Sequence, residues 1–192
     1  MNISSAPHGS APKSEWRYWA RDLRSQIDIG TYSEAVISGL RDWEPFKSST
    51  ATLIYLPLPE ELDLWPLVDR SRGGNFYATR TPDKGGELTV HRLERPLQVH
   101  RLGFAQPHSS APKVDPAVLD VLLLPGLAFD LWGTRLGRGA GYFDRLLASV
   151  SSTATLVGVT VSDFVVDRLP RESHDVPVCY LSTEEGVVKT LE

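Results

Sequence analysis

LDVLLLPGLAFDLWGTRLGRGAGYFDRLLAS, residues 119–149, opens on the apolar run Val121-Leu122-Leu123-Leu124, stopped by Pro125 and Gly126. A short apolar run bounded by turn residues reads as a buried strand. The stretch closes on residues 142–148, where Tyr142, Leu146 and Leu147 share one side of a helix and Asp144 and Arg145 do not. Between strand and helix lie Gly133, Gly137, Gly139 and Gly141, with Arg135 and Arg138 interleaved. Glycines let a backbone turn through positive φ and approach a ligand closely. Free N–H groups at a helix start or in a loop nest point at anions, and guanidinium forks suit phosphate oxygens. Asp144, on the first helical turn, is placed to hold Mg²⁺ against such phosphates. The stretch therefore reads as a nucleotide or polyphosphate loop, the alternative being a flexible loop whose arginines are merely solvated.

Two standard phosphate motifs are excluded. No Lys follows the glycines, so this is not a G-x-x-x-x-G-K-[ST] loop, and the third glycine comes one residue early for G-x-G-x-x-G.

At 192 residues the chain is long enough for one domain with a real core. It is 41% hydrophobic and 23% charged, the usage of an ordinary globular protein. A net charge of −4 argues against a general nucleic-acid binder, although a local cluster of arginines still suits a small anion. Cys179 is the only cysteine, which excludes an intrachain disulfide framework and a Cys-based metal cluster. Residues 1–12 lack the basic start and apolar core of a signal peptide, and no run approaches a bilayer span. A cytoplasmic protein with no membrane and no nucleic-acid partner is expected.

Taken in order, residues 1–12 are expected to be disordered. Trp16, Trp19, Ala20 and Leu23 follow helical spacing, with Ser14 as N-cap and Gly30 as stop. Lys13 and Arg17, four apart, share a face near that helix start and on their own read as two solvated cations. Thr31-Tyr32-Ser33-Glu34 has the capping-box pattern ahead of a second helix with Ala35, Ile37, Leu40 and Trp43 inward. Residues 51–56 read as a strand and 60–68 as a short helix, which puts Glu61 in a first helical turn. Residues 75–80, 87–92 and 97–102 read as strands, the first two separated by a turn over 81–86, and 103–116 as a polar loop. Beyond the central motif, 154–161 reads as a buried strand, 162–169 as a helical stretch, 170–177 as a loop, and 178–181 and 187–189 as late strands. Strands alternating with helices predict a single α/β domain over 13–192, a central mixed, largely parallel sheet flanked by helices. Ligands in such sheets gather at the carboxyl ends of strands, after Leu56, Leu124 and Val161.

His8, His91, His100, His108 and His174 have no zinc-site spacing, and no G-x-S-x-G elbow exists to make His174-Asp175 part of a triad. The tryptophans sit mostly at core-facing helical positions; Trp132, inside the glycine loop, is the exception.

The string PGLAFDLWGTRLGRGAGYFDRLL, residues 125–147, resembles the signature of the 5-formyltetrahydrofolate cyclo-ligase family, P-G-x-A-F-D-x-x-G-x-R-L-G-x-G-x-G-Y-Y-D-R. Phe143, standing for the second tyrosine, is the one mismatch. Lys13 and Arg17 as K-x-x-x-R, a strand followed by glutamate at Leu56 and Glu61, and His174-Asp175 extend the resemblance over roughly residues 13–182. The resemblance implies ATP-dependent cyclisation of 5-formyltetrahydrofolate to 5,10-methenyltetrahydrofolate with release of ADP and phosphate, by an expected monomer. The γ-phosphoryl group would pass to the formyl oxygen, converting a poor leaving group into phosphate. It further implies that Lys13, Arg17, Arg135, Gly137, Arg138, Gly139, Ala140 and Gly141 hold ATP. Leu56, Glu61, Gln106, Tyr142 and Phe143 would contact the folate, Asp144 and Asp175 would bind Mg²⁺, and Arg17, Arg138 and Tyr142 would serve catalysis. Gln106-Pro107 replaces the more usual Glu-Pro, and Thr79-Arg80-Thr81 a proline–arginine pair. Gln106 is still expected to reach the folate as a neutral donor or acceptor. Asp144→Asn is expected to cripple turnover yet spare the fold, a first-turn surface Asp contributing little core. Two other readings stand beside this one: a cyclo-ligase-like paralogue that binds nucleotide or folate without the activity, and an interaction protein whose loop binds nothing.

Overall fold

The structure is a computed structural model describing residues 5–68, 75–82 and 85–191. Residues 1–4 of the expected N-terminal segment, and Asp83 and Lys84 of the expected turn, lie outside the described residues.

An eight-stranded sheet runs in the order β13 (Gly186–Lys189), β12 (Tyr180–Thr183), β10 (Thr155–Val159), β7 (Val121–Pro125), β1 (Ala51–Leu53), β2 (Asn75–Arg80), β3 (Thr89–Arg92) and β6 (Lys113–Val114). Pairing is parallel from β12 through β2 and antiparallel at both margins. The predicted mixed, largely parallel sheet is thus present. At its centre β7 alternates its burial: Val121 and Leu123 join one hydrophobic cluster, Leu122 and Leu124 the other. A strand buried on both faces has no polar side, which is why its sequence is a continuous apolar run. Each such leucine, taken fully from water, is worth about 1.5–3 kcal/mol.

Helix α1 (Lys13–Arg24) buries Trp16, Trp19, Ala20 and Leu23, and α2 (Ser33–Asp42) buries Val36, Ile37 and Leu40, both in the first cluster. A short α3 (Glu44–Ser48) adds Phe46. On the opposite face, α4 (Tyr142–Leu147) covers the sheet with Leu146 and Leu147. Two small sheets complete the fold: β11 (Val165–Val166), β8 (Ala128–Asp130) and β9 (Arg135–Leu136) in that order, and the pair β4 (Leu97–Val99) and β5 (Ala105–Pro107). No helix of the described residues is long and apolar enough to cross a membrane.

Several element ends differ from expectation, each for a local reason. Helix α1 is capped by Pro12, whose carbonyl accepts from Glu15 and Trp16, so Ser14 falls inside the first turn. It stops at Arg24 rather than Gly30, because the amides of Ser25 and Gln26 close back onto Arg21 and Leu23. The capping box at Thr31 does not form: Thr31 Oγ1 donates to the Asp28 carbonyl at 2.7 Å, within a 3₁₀ turn over Ile29–Tyr32. Val36, not Ala35, takes the buried place in α2. Residues 60–68 hold a turn and a 3₁₀ segment, Trp65–Leu67, since Pro59 and Pro66 interrupt a helix. The polar loop 103–116 contains β5 and β6, and 162–169 contains one 3₁₀ turn followed by β11. Ahead of α1, a turn ties the Ala11 amide to the His8 carbonyl, and Ala11 leans on the core.

Candidate active site

The glycine-rich segment is less a loop than a hairpin with a tail. Asp130, fully buried at the end of β8, accepts from the amides of Trp132 at 3.0 Å and Thr134 at 2.8 Å through one oxygen. Its other oxygen accepts from Leu169 N at 2.9 Å. One carboxylate therefore folds the chain back so that Arg135 returns beside Phe129 on β9. Gly133, Gly139 and Gly141 adopt positive φ as the glycine spacing suggested, and Gly137 does not. Gly139, at φ +105°, lies under the Arg17 guanidinium; a side chain there would be strained in its backbone and would press on that arginine.

Three of the four cations expected on the phosphate side are paired with carboxylates. Lys13 Nζ donates to Asp175 Oδ2 at 2.7 Å and lies 3.3 Å from Glu172. Arg135 Nη2 donates to Asp144 Oδ1 at 2.6 Å, with the guanidinium also near the Phe143 ring. Arg138 Nη2 reaches both Glu60 at 2.8 Å and Glu61 at 3.0 Å. Arg17 bonds instead to backbone, Nε donating to the Gly137 carbonyl at 3.0 Å. Helix α1 thus brings Arg17 against the motif and Lys13 against the Glu172–Asp175 segment, placements that their spacing alone did not indicate.

These pairs set the protonation behaviour of the site. Burial pushes the Asp175 carboxyl up, but the bonds from Lys13 and the Glu172 amide outweigh it, leaving its pKa below the usual range. Burial pushes the Arg135 guanidinium down despite Asp144 and Asp175 nearby. For Arg138 the same burial is overcome by Glu61 and Glu60, which raise its pKa.

A cleft of about 280 Å³ runs along the motif, lined by its Arg135, Gly137, Arg138, Ala140, Gly141, Tyr142, Phe143 and Asp144 and, from outside it, by Leu56 and Glu61. Glu61 is not in a helix; its carboxylate accepts from Leu58 N at 3.1 Å across a tight turn, which aims it at Arg138. A larger groove of about 840 Å³ opens beyond, sharing Leu58, Glu61, Phe104 and Ala105 with the cleft. Gln106 is placed differently from expectation. It is 1% exposed, does not line the cleft, and its Oε1 accepts from Thr81 N at 3.1 Å. Thr79 and Thr81 line the cleft in its place. Asp175 and Asp144 are not clustered with each other: Asp175 groups with Glu172 and His174, ligand atoms within 4.8 Å, while Asp144 sits across Arg135.

Three residues escaped the sequence reading. Asp130 was visible as an Asx turn, D-x-x-G. Glu60 was the less conspicuous half of a Glu60-Glu61 pair. Arg24, a buried arginine at the end of α1, gave no local sign, because all its partners are distant in sequence. Chemically, the site can hold a polyanion along one wall and a heterocycle with hydrogen-bond donors against Glu61 on the other.

Comparison with known proteins identifies the family. The model of the 5-formyltetrahydrofolate cyclo-ligase family matches residues 24–184. A 5-formyltetrahydrofolate cyclo-ligase of Escherichia coli K12 is 31% identical over 152 residues, covering 76% of this chain and 84% of that protein. One from Mycolicibacterium smegmatis is 44% identical over 70 residues, a match spanning 36% of each chain. The solution structure of Aquifex aeolicus 5,10-methenyltetrahydrofolate synthetase superposes with a TM-score of 0.80 at 36% identity, covering 94% of this chain and 96% of that one. A 5,10-methenyltetrahydrofolate synthetase from Mycoplasma pneumoniae shares the fold, with a TM-score of 0.73 at 15% identity over 91% of this chain and 99% of its own. The chain belongs to the 5-formyltetrahydrofolate cyclo-ligase family, a family of ligases.

Proposed function

We propose that this chain cyclises 5-formyltetrahydrofolate to 5,10-methenyltetrahydrofolate at the expense of ATP. The observation that carries the reading is Arg138: it belongs to the glycine-rich motif, yet its guanidinium lies 3.0 Å from Glu61, 77 residues away in sequence. A phosphate-side cation within reach of a pterin-side carboxylate is what a transfer between two bound substrates requires.

The formyl oxygen of the folate attacks the γ-phosphorus, the bond to the ADP oxygen breaks, and the oxygen becomes a phosphate ester. The neighbouring bridge nitrogen then adds to the activated carbon and gives up its proton. Phosphate departs with the C–O bond electrons, leaving the methenyl bridge. In this scheme Lys13, Arg17, Arg135 and the amides of Gly137, Gly139, Ala140 and Gly141 hold the triphosphate. Arg138 follows the transferring charge, where preorganised cations count most. Leu56, Tyr142 and Phe143 pack on the folate and Glu61 accepts from its ring donors. Gln106 acts by fixing Thr81 rather than by touching the folate. Asp144 and Asp175 offer hard carboxylate oxygens that suit Mg²⁺, and both are presently balanced by Arg135 and Lys13. Held there, Mg²⁺ would supply positive charge to offset that of the phosphates.

The test is spectroscopic. Protein, 5-formyltetrahydrofolate, ATP and Mg²⁺ are mixed, and the near-ultraviolet absorbance of the methenyl product is followed. Accumulating product supports the reading. No product at high enzyme concentration refutes it, and ATP-dependent thermal stabilisation without product would mark the binding-only paralogue.

A further inference from the structure

Arg24 is the last residue of α1 and is buried, its side chain sandwiched between three parts of the chain. Its guanidinium makes no ion pair among the described residues. It donates only to backbone carbonyls: Nη1 to Glu60 at 2.8 Å, Nη2 to Gly126 at 2.8 Å and to Leu127 at 3.1 Å, and Nε to Leu127 at 3.3 Å. The ring of Phe164 lies 4.3 Å beneath it. A buried cation satisfied entirely by main chain is costly, and its forked donors fix the positions of what they bind.

What they bind is the frame of the cleft. Gly126 and Leu127 follow β7 and open the phosphate motif, and Gly126 itself lines the cleft. Glu60 immediately precedes Glu61, and its carbonyl is held from below while its carboxylate meets Arg138 from above. We infer that Arg24 is a positioning residue that sets Glu61 relative to the start of the phosphate motif, by clamping the Glu60 carbonyl to those of Gly126 and Leu127. This inference rests on the proposed cyclo-ligase reading. Lysine at this position would keep the charge but could not bridge two separate turns with a planar fork. The Glu61 carboxylate would then lose its fixed place on the folate wall. Lys13 and Arg17, at the far end of α1 and held by Asp175 and Gly137, would not move.

The test compares wild type, Arg24→Lys, Glu61→Gln and the double variant, with turnover giving KM for each substrate and calorimetry giving 5-formyltetrahydrofolate affinity. Arg24→Lys is expected to raise the folate KM about tenfold, the loss of one or two charge-assisted bonds, while the ATP KM stays within about twofold. In the Glu61→Gln background the same change should add little, since both act through one carboxylate. A lowered melting temperature with both KM values unchanged would overturn the inference, as would an equal rise in both. If Arg24→Lys does not fold, Phe164→Leu, which removes the supporting ring and keeps the donors, must raise the folate KM selectively; no change refutes the clamp. Wild-type protein that binds folate without turnover defeats the cyclo-ligase reading alone, and the clamp is then judged on calorimetric folate affinity. Wild-type protein that binds no folate defeats both.

Discussion

Asp144→Asn is the sharpest test of how the candidate site is built. Sequence alone suggested a surface aspartate whose loss would spare the fold. The structure gives it a partner: Arg135 Nη2 at 2.6 Å, on an arginine side chain only 4% exposed. Arg135 Nε is buried with no acceptor among the described residues, so the guanidinium leans heavily on that one carboxylate. Removing one member of a buried pair typically costs about 3–5 kcal/mol. Asp144 is 22% exposed and asparagine retains a carbonyl acceptor, so a discounted loss of about 2–3 kcal/mol is expected. For a chain of this size that is a fall in Tm of about 5–10 °C. Urea denaturation followed by tryptophan fluorescence measures it, with turnover assayed well below the new Tm. Arg135→Met/Asp144→Leu removes both charges and should recover stability to within about 1 kcal/mol of wild type without restoring turnover. A loss below about 0.5 kcal/mol for Asp144→Asn, or a double variant as unstable as the sum of the singles, would refute the buried-pair argument.

Other outcomes follow from separate features. Lys13→Ala should raise the ATP KM about tenfold and leave the folate KM nearly unchanged, since among the described residues Lys13 pairs with Asp175 and Glu172; steady-state kinetics with each substrate varied decides it. Gly133→Ala should destabilise by about 2–3 kcal/mol in thermal unfolding, because φ is +80° and the added carbon would stand 2.2 Å from the Val178 carbonyl oxygen. Asp120 accepts from Ser49, from the amide and hydroxyl of Thr50, and from the Ala51 amide. Burial raises its pKa, but these bonds outweigh it and hold the value below normal. A depressed native pKa means the unfolded chain binds the extra proton first. This contribution is therefore full above about pH 4 and disappears as pH falls through the native value. Asp120→Asn should flatten that acid limb in pH-dependent denaturation, and an unaltered limb counts against the assignment.

The sheet centre was legible because burial on both faces leaves its imprint as composition: Val121 to Leu124 could hardly be anything but an inner strand. Asn75–Arg80 and the start of α4 were legible for similarly local reasons, alternation in one and helical spacing in the other. The hairpin inside the motif was not, since β9 is two residues long and exists because Asp130 bonds two amides ahead of it. Helix ends also escaped, those of α1 being settled by the backbone of Pro12 and Ser25 rather than by side-chain caps. Most of the residues that the resemblance implied line the cleft or pair beside it. Their pairings were not readable, because Lys13 and Asp175 stand 162 residues apart and Arg138 and Glu61 stand 77 apart. Gln106 was placed on the folate because of its neighbours in sequence; its fold neighbour is Thr81.

The pairing of Lys13, Arg135 and Arg138 with Asp175, Asp144 and Glu61 has a kinetic consequence. The free cleft is close to a zwitterion, so it projects little positive field into solvent and draws anions in only weakly. Under the proposed function, a nucleotide would enter by exchange, its phosphates taking over cations that carboxylates release, with the released carboxylates free to meet a metal ion or a pterin. Association by such exchange is slower than steered capture and responds little to ionic strength. On that reading the arrival of one substrate is also the event that uncovers the other's binding groups.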